Sequence, residues 1–121
     1  MKITIGNQTF TFECDDTKVL RDIEAMLPLN LNMRNNGDVE YVGQLPAKPV
    51  NEGRQVSKTL ENCIYYYEGW NVFCLNYRAS DISPYKITYL GKCDDPSFTE
   101  LLKNEGKEFT AVIESGKGEQ A

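Results

Sequence analysis

Residues 62–78, Asn62-Cys-Ile-Tyr-Tyr-Tyr-Glu-Gly-Trp-Asn-Val-Phe-Cys-Leu-Asn-Tyr-Arg78, carry the strongest hairpin pattern in the chain. Two runs rich in aromatic and β-branched residues flank Gly69-Trp70, and a Gly-X pair at this place is typical of a type II′ turn. Such a turn pairs Tyr67 with Val72, and alternation then gives the hairpin two faces. One face carries Ile64, Tyr66, Phe73, Leu75 and Tyr77, and the other carries Cys63, Tyr65, Tyr67, Val72, Cys74 and Asn76. Both faces are largely apolar, so we expect the hairpin to be covered on both sides or closed into a barrel.

Short strands and tight turns continue on either side of this hairpin. Residues 2–13 alternate around Gly6-Asn7 and predict a second hairpin. Further strands are predicted at 29–33, 39–42, 54–56, 85–90 and 108–114. Apolar spacing predicts a helix over 17–27, and Asp95-Pro96 marks the start of a second helix that ends near Gly106. Residues 57–61 are expected to form a single helical turn, and residues 44–53 and 79–84 to form loops.

The composition is that of one soluble domain. The chain has 121 residues and a formal net charge of −5, which disfavours nucleic acid and anionic membrane surfaces as partners. Residues 1–115 are expected to form the domain, and residues 116–121 a flexible C-terminal tail. Neither a membrane-spanning run nor a signal peptide is recognisable, so a cytoplasmic location is predicted.

The residue types needed for common metal or nucleophilic chemistry are missing or poorly spaced. The four cysteines, at 14, 63, 74 and 93, have no metal-ligand spacing, and the chain contains no histidine. Reduced thiols, no metal site and no cofactor are therefore predicted. Asp94-Asp95 would supply a pair of carboxylates, but Asp95 is explained as a helix cap because Pro96 follows it. No catalytic residue can be assigned.

About eight strands and two short helices, one early and one late in the chain, favour a closed barrel or a sandwich. Two amphipathic helices would be well placed to plug the open ends of a barrel. The pattern therefore predicts a mainly β domain with two short capping helices.

Three stretches, taken in order, resemble small bacterial cyclophilin-like proteins. They are Leu27-Pro-Leu-x-Leu-x-Met33 followed by Glu40-Tyr41, then Tyr66-Tyr-x-Gly-x-Asn-x-Phe-x-Leu-x-Tyr77, then Leu90-Gly-x-x-Asp-Asp-Pro96. The resemblance covers roughly residues 2–114 and implies a closed eight-stranded cyclophilin-like β-barrel with a helix at each end. It also implies a relationship to peptidyl-prolyl isomerases. The Phe-x-Arg and Gln-Gly-Gly motifs of active cyclophilins are absent here, so fold alone does not carry that activity over.

Aromatic and arginine side chains are the candidates for binding a ligand. An arginine donor beside an apolar socket would suit prolyl isomerisation, and Trp70 at a turn tip is typical of a pocket or an interface. The competing interpretation is barrel-wall packing for the aromatic rings, and surface charge for the arginines. The candidates are Met33, Arg34, Tyr41, Arg54, Tyr67, Trp70, Tyr77, Arg78 and Tyr85.

Three functions remain open at this point. The first is the binding of a peptide segment or small ligand in a shallow aromatic groove. The second is weak prolyl isomerase activity, which would make the protein an enzyme, and the third is a structural or interaction subunit, such as a homo-oligomer formed through Trp70.

Overall fold

A computed structural model of the chain describes residues 1–116, and the rest of the predicted tail, residues 117–121, lies outside the described residues. Two helices, α1 (Lys18–Glu24) and α2 (Ser97–Lys103), accompany twelve strands within that range. The strands are β1 (Lys2–Ile5), β2 (Gln8–Thr11), β3 (Glu13–Cys14), β4 (Leu29–Asn36), β5 (Glu40–Gln44), β6 (Arg54–Val56), β7 (Lys58–Thr59), β8 (Cys63–Tyr67), β9 (Val72–Asn76), β10 (Ser80–Asp81), β11 (Ile87–Lys92) and β12 (Glu108–Glu114). Neither helix is long and apolar enough to cross a membrane.

Nine strands form one antiparallel, nearly closed, barrel-shaped sheet. Their order is β2-β1-β12-β4-β5-β9-β8-β11-β3, and β6 pairs with β11 beside this path. The two ends of the path, β2 and β3, are separated in the chain by Phe12 alone. The predicted mainly β barrel with two short helices is thus confirmed. Its path has nine strands rather than eight because the chain bends at Phe12, so that residues 8–14 supply a strand to each end of the sheet.

The central hairpin has the predicted register and a different turn. Tyr67 pairs with Val72 and Ile64 with Leu75, as alternation around the turn requires. The positive φ lies at Asn71, at 54°, and not at Gly69, so the predicted type II′ turn is wrong. Asn71 tolerates this conformation and its side chain holds the turn in place: its Oδ1 accepts a hydrogen bond from the Tyr66 hydroxyl at 2.7 Å.

The two faces of the hairpin pack into two separate apolar clusters. The first cluster fills the barrel and includes Ile64, Tyr66, Phe73 and Leu75, together with side chains from both helices. The second cluster lies on the outer face of the sheet. It consists of Cys63, Tyr65, Val72, Cys74 and Ile87, with Val42, Val56, Tyr67, Ile82 and Tyr89 packed against it. The prediction that both faces are covered is therefore confirmed.

A two-stranded ribbon, β7 with β10, replaces two of the predicted irregular segments. Residues 57–61 do not form a helical turn, because Lys58 and Thr59 pair in register with Asp81 and Ser80. Residues 79–84 are correspondingly not all loop. The backbone N–H of Ile82 also donates to the Ser57 carbonyl at 2.8 Å, which extends the pairing by one step.

Both helices begin and end close to the predicted residues. At the start of α1, the Thr17 hydroxyl accepts a hydrogen bond from the Leu20 N–H. The helix ends at Glu24, earlier than predicted. The backbone tightens there, because the Met26 N–H donates to the Ile23 carbonyl, three residues back. At α2, the Asp95 carboxylate accepts from the Ser97 N–H at 3.0 Å. This contact, in addition to burial of Phe98 and Leu102 in the barrel, fixes the start of α2.

Candidate functional site

The cavity that we call the main cavity lies on the outer face of the sheet, beneath the ribbon; a second cavity of the same volume, about 480 Å³, lies beside Phe10 and Phe12. The main cavity has a volume of about 480 Å³, which is within the range of ligand pockets, about 300–1,000 Å³. Strands β5, β8, β9 and β11 contribute to one wall, and the ribbon with the segment that follows it contributes to the other. The cavity therefore depends on the outer apolar cluster, which keeps sheet and ribbon together.

Asn76 is a buried, unpartnered polar group in this cavity. The side chain is 1% exposed, and both its amide oxygen and its amide nitrogen lack a hydrogen-bond partner among the described residues. Leaving a buried polar group unsatisfied costs about 1–3 kcal/mol of stability. Such a group in a native fold needs an explanation, and a ligand or ordered water that supplies both an acceptor and a donor is one.

Glu40 lies directly beside Asn76. The two residues are paired across β5 and β9, so their side chains leave the same face of the sheet. The Glu40 carboxylate accepts a hydrogen bond from Asn36 Nδ2 at 2.8 Å, but among residues 1–116 no ion pair with a lysine or arginine is formed by it. Burial raises the pKa of Glu40, and hydrogen bonds from Asn36 and Cys74 offset part of that effect.

Three aromatic rings frame the mouth of the cavity. Trp70 and Tyr85 are 55% and 65% exposed, and Tyr67 contacts Trp70 edge to face with 5.3 Å between ring centroids. The two exposed rings therefore form the rim of the cavity, and the buried Asn76 amide lies at its floor. Aromatic rims of this kind bind apolar and cationic groups.

The turn that carries Trp70 is fixed through its backbone. Gln44 Nε2 donates to the carbonyl oxygens of Trp70 and Asn71, at 3.2 and 2.9 Å. Asn71 Nδ2 donates in turn to the Ala47 carbonyl at 3.1 Å. These hydrogen bonds fix the loop that carries the indole, so its backbone would need little further ordering for a ligand to bind.

Gly69 is required by the close approach of Tyr67 to this turn. A Cβ atom at Gly69 would lie 2.9 Å from Tyr67 Cε2, closer than real Cβ contacts allow. The absence of a side chain at Gly69 thus lets the Tyr67 ring lie beneath the turn and contact Trp70. The glycine of the predicted turn is needed for this contact rather than for a positive φ.

The structure brings three of the nine predicted candidates into the main cavity and places the other six elsewhere. Tyr67, Trp70 and Tyr85 line the main cavity. Tyr41, Tyr77 and Arg78 line a smaller cavity of about 330 Å³, where the Tyr41 hydroxyl donates to the Gly106 carbonyl at 2.7 Å.

The remaining three candidates lie apart from these two cavities. Met33 is fully buried in the barrel, and Arg34 lines a further cavity, of about 270 Å³, beside Val42. Arg54 lies 4.1 Å above the Tyr89 ring and 3.5 Å from an Asp15 carboxylate oxygen. The four arginines of the chain all lie within residues 1–116, and none of them lines the main cavity as a donor for prolyl isomerisation.

Glu40 and Asn76 were not among the predicted candidates. Alternation already places Asn76 on the outer face of the hairpin, as the only amide among its apolar neighbours. The position of Glu40 depends on the pairing of β5 with β9, which are separated by residues 45–71. A polar residue on an otherwise apolar strand face was the signal that could have identified Asn76.

The cysteines do not form a reactive centre. All four are free thiols, and burial raises the pKa of each; for Cys14 it reaches about 11. Such thiols are poor nucleophiles near neutral pH. Within residues 1–116 no group of three or more cysteine, aspartate or glutamate side chains is arranged to hold a metal ion.

The barrel-shaped antiparallel sheet with two short helices agrees with a cyclophilin-like fold. The model of the Cyclophilin-like family matches residues 3–114, so the chain belongs to that family. Among solved structures, it is similar to the solution structure of a hypothetical protein from Archaeoglobus fulgidus, with a TM-score of 0.66 and 18% identity over 93% of this chain and 91% of that chain. That identity shows a shared fold alone. No curated protein matches the sequence.

Proposed function

We propose that the protein binds a small ligand or a peptide segment in the main cavity, between the aromatic rim and Asn76. The observation that carries this proposal is the unpartnered Asn76 amide, which is buried at 1% exposure in a cavity of ligand size. A polar group that is unsatisfied without ligand gains its full hydrogen-bonding energy when a ligand arrives, so it favours binding and selects for shape and polarity.

Trp70 provides a direct assay because it is the only tryptophan in the chain. A library of small amides and peptides would be titrated against the protein while its tryptophan fluorescence and its amide NMR spectrum are recorded. We expect ligands to shift the Trp70 emission and the side-chain NH₂ signals of Asn76 together. Asn76→Leu should abolish the binding, whereas Asn32→Leu, at an exposed position on β4, should leave it unchanged.

The other two functions make different predictions in the same experiment. An interaction subunit would show a concentration-dependent mass above 13.8 kDa that Trp70→Ala abolishes, with no ligand needed. A prolyl isomerase would accelerate exchange in Xaa-Pro peptides and lose this in Arg34→Ala, Arg54→Ala or Arg78→Ala. If the library perturbs neither Trp70 nor Asn76, while the protein is folded and monomeric, ligand binding in this cavity is refuted.

A further inference from the structure

The charge of the cavity wall indicates which ligands the site accepts. Among residues 1–116, Glu40 is the only acidic residue that lines the cavity, and no lysine or arginine of that range lines it. The rest of the wall is aromatic, aliphatic or neutral and polar. An ionised carboxylate in such surroundings favours a cationic ligand group, and the net charge of −5 favours the approach of cations as well.

Asn76 adds a second requirement, because its amide needs both a donor and an acceptor. A cation alone would donate to Oδ1 and leave Nδ2 without an acceptor. A ligand amide satisfies both atoms, since its N–H donates to Oδ1 and its carbonyl accepts from Nδ2. Glu40 and Asn76 together therefore favour a ligand that carries both a charged amine and an amide.

The spacing of Glu40 and Asn76 sets how far apart these two groups must be. Directly paired residues on neighbouring antiparallel strands have Cβ atoms about 4.5–5.5 Å apart. In an α-amino amide, a single carbon atom separates the ammonium group from the amide carbonyl, and successive Cα atoms are about 3.8 Å apart. The two groups of such a ligand can therefore reach Glu40 and Asn76 at once.

Resting on the proposed function, we infer that the cavity recognises an α-amino amide: the ammonium group pairs with Glu40, the adjacent amide bonds to Asn76, and the side chain lies against Trp70, Tyr67 and Tyr85. Two sources share this chemistry, the free N-terminus of a peptide and a small amino-acid amide. Capture of an N-terminal amine is an established mode of peptide recognition.

The test compares four probes that differ by one group each: leucinamide, the dipeptide amide Leu-Ala-NH₂, its N-acetylated form, and isoamylamine. Binding is measured by Trp70 fluorescence and by calorimetry. We expect acetylation, which removes the charge and keeps both amides, to weaken binding at least tenfold, because hydrogen bonds to charged groups are the stronger ones. Isoamylamine, which lacks the amide, should bind at least several-fold more weakly than leucinamide. A dipeptide amide that binds tighter than leucinamide identifies peptide N-termini as the source, and equal binding identifies small amides.

Two variants assign the effects to residues. Glu40→Gln should remove the preference for the free amine, and Glu108→Gln, which removes one exposed carboxylate from β12, should keep it. Asn76→Leu should abolish the binding of leucinamide and leave only the weaker, amide-independent binding that isoamylamine shows. Should a variant fail to fold, the probe comparison on the unaltered protein decides alone.

Three results would overturn the inference. They are equal binding of the free and acetylated dipeptides, loss of the preference in Glu108→Gln as well as in Glu40→Gln, and no binding of any probe at millimolar concentration. In each case, a neutral compound that shifts both Trp70 and Asn76 signals would leave the proposed function standing. If neither the probes nor any neutral compound shifts the Trp70 and Asn76 signals, both proposals are refuted.

Discussion

Replacing Asn76 by leucine should make the protein more stable and unable to bind its ligand. The wild-type amide is buried with two unpartnered polar atoms, a state that costs about 1–3 kcal/mol. Leucine removes that penalty and places apolar surface beside Cys74 and Cys63 in the outer cluster. The cavity next to Asn76 leaves room for the larger side chain, so overpacking should stay small.

The size of this effect can be checked by denaturation. We expect the free energy of unfolding of Asn76→Leu in urea to rise by about 1–3 kcal/mol, with an unchanged m-value. A gain of 1 kcal/mol corresponds to a rise of roughly 4 °C in Tm for a domain of this size. The exposed Asn32→Leu variant should change stability by less than about 0.5 kcal/mol in either direction.

A loss of stability in Asn76→Leu would refute the reasoning. It would mean that the amide is hydrogen-bonded in solution, for instance to a buried water with two or more polar partners. The Asn76→Ala variant separates this outcome from a steric clash, because alanine cannot overpack the site. If both variants lose more than about 1 kcal/mol, the amide is satisfied in the free protein, and the case for a ligand loses its main support.

Three further outcomes follow from the contacts of Glu40, Gly91 and Tyr41. Burial holds the pKa of Glu40 above its ordinary value of 4.5. The stability that this group contributes is therefore fully present below about pH 4.5, and it is lost as the pH rises through the raised pKa. Glu40→Gln, which keeps an acceptor for Asn36, should remove that decline in urea melts between about pH 4 and 8, and an unchanged decline would contradict the assignment. Gly91→Ala should destabilise the sheet by more than about 2 kcal/mol in the same melts, since the new Cβ would lie 2.5 Å from the Glu13 carbonyl oxygen at the bulge; a neutral effect would mean that the strand can shift. Tyr41→Phe should lower the free energy of unfolding by about 1–2 kcal/mol, because the Gly106 carbonyl loses its hydroxyl donor. Thermal melts of the wild-type protein and of the variant measure this loss, and a smaller loss would contradict the prediction.

The sequence was most informative where structure depends on neighbours in the chain. The register of the central hairpin and its two faces follow from alternation around one turn, and both were predicted. A glycine within a strand is a local sign of a bulge, and the pairing of β11 with β8 does shift between Tyr89 and Gly91. Signals of this kind lie within one short stretch of the chain.

Features that depend on distant pairing could not be predicted. Strands of two residues, such as Lys58–Thr59 and Ser80–Asp81, have no periodicity of their own and form because they meet each other. The candidate site has the same origin, since Glu40 and Asn76 are brought together by the order of strands in the sheet. The aromatic rim, in contrast, was recognisable from Trp70 and Tyr67 because a large ring at a turn stands out locally.

The short strands at the ends of the sheet limit how this barrel can meet other molecules. The strands at the two ends of the sheet and beside its path are Gln8–Thr11, Glu13–Cys14 and Arg54–Val56, and none of these three is longer than four residues. Strand edges this short offer little backbone for another chain to pair with, which protects a β protein from edge-to-edge aggregation. An incoming peptide therefore has little to gain by joining the sheet as an added strand. Under the proposed function, recognition would be made by side chains, so selectivity could change through a few substitutions around one cavity while the barrel itself is retained.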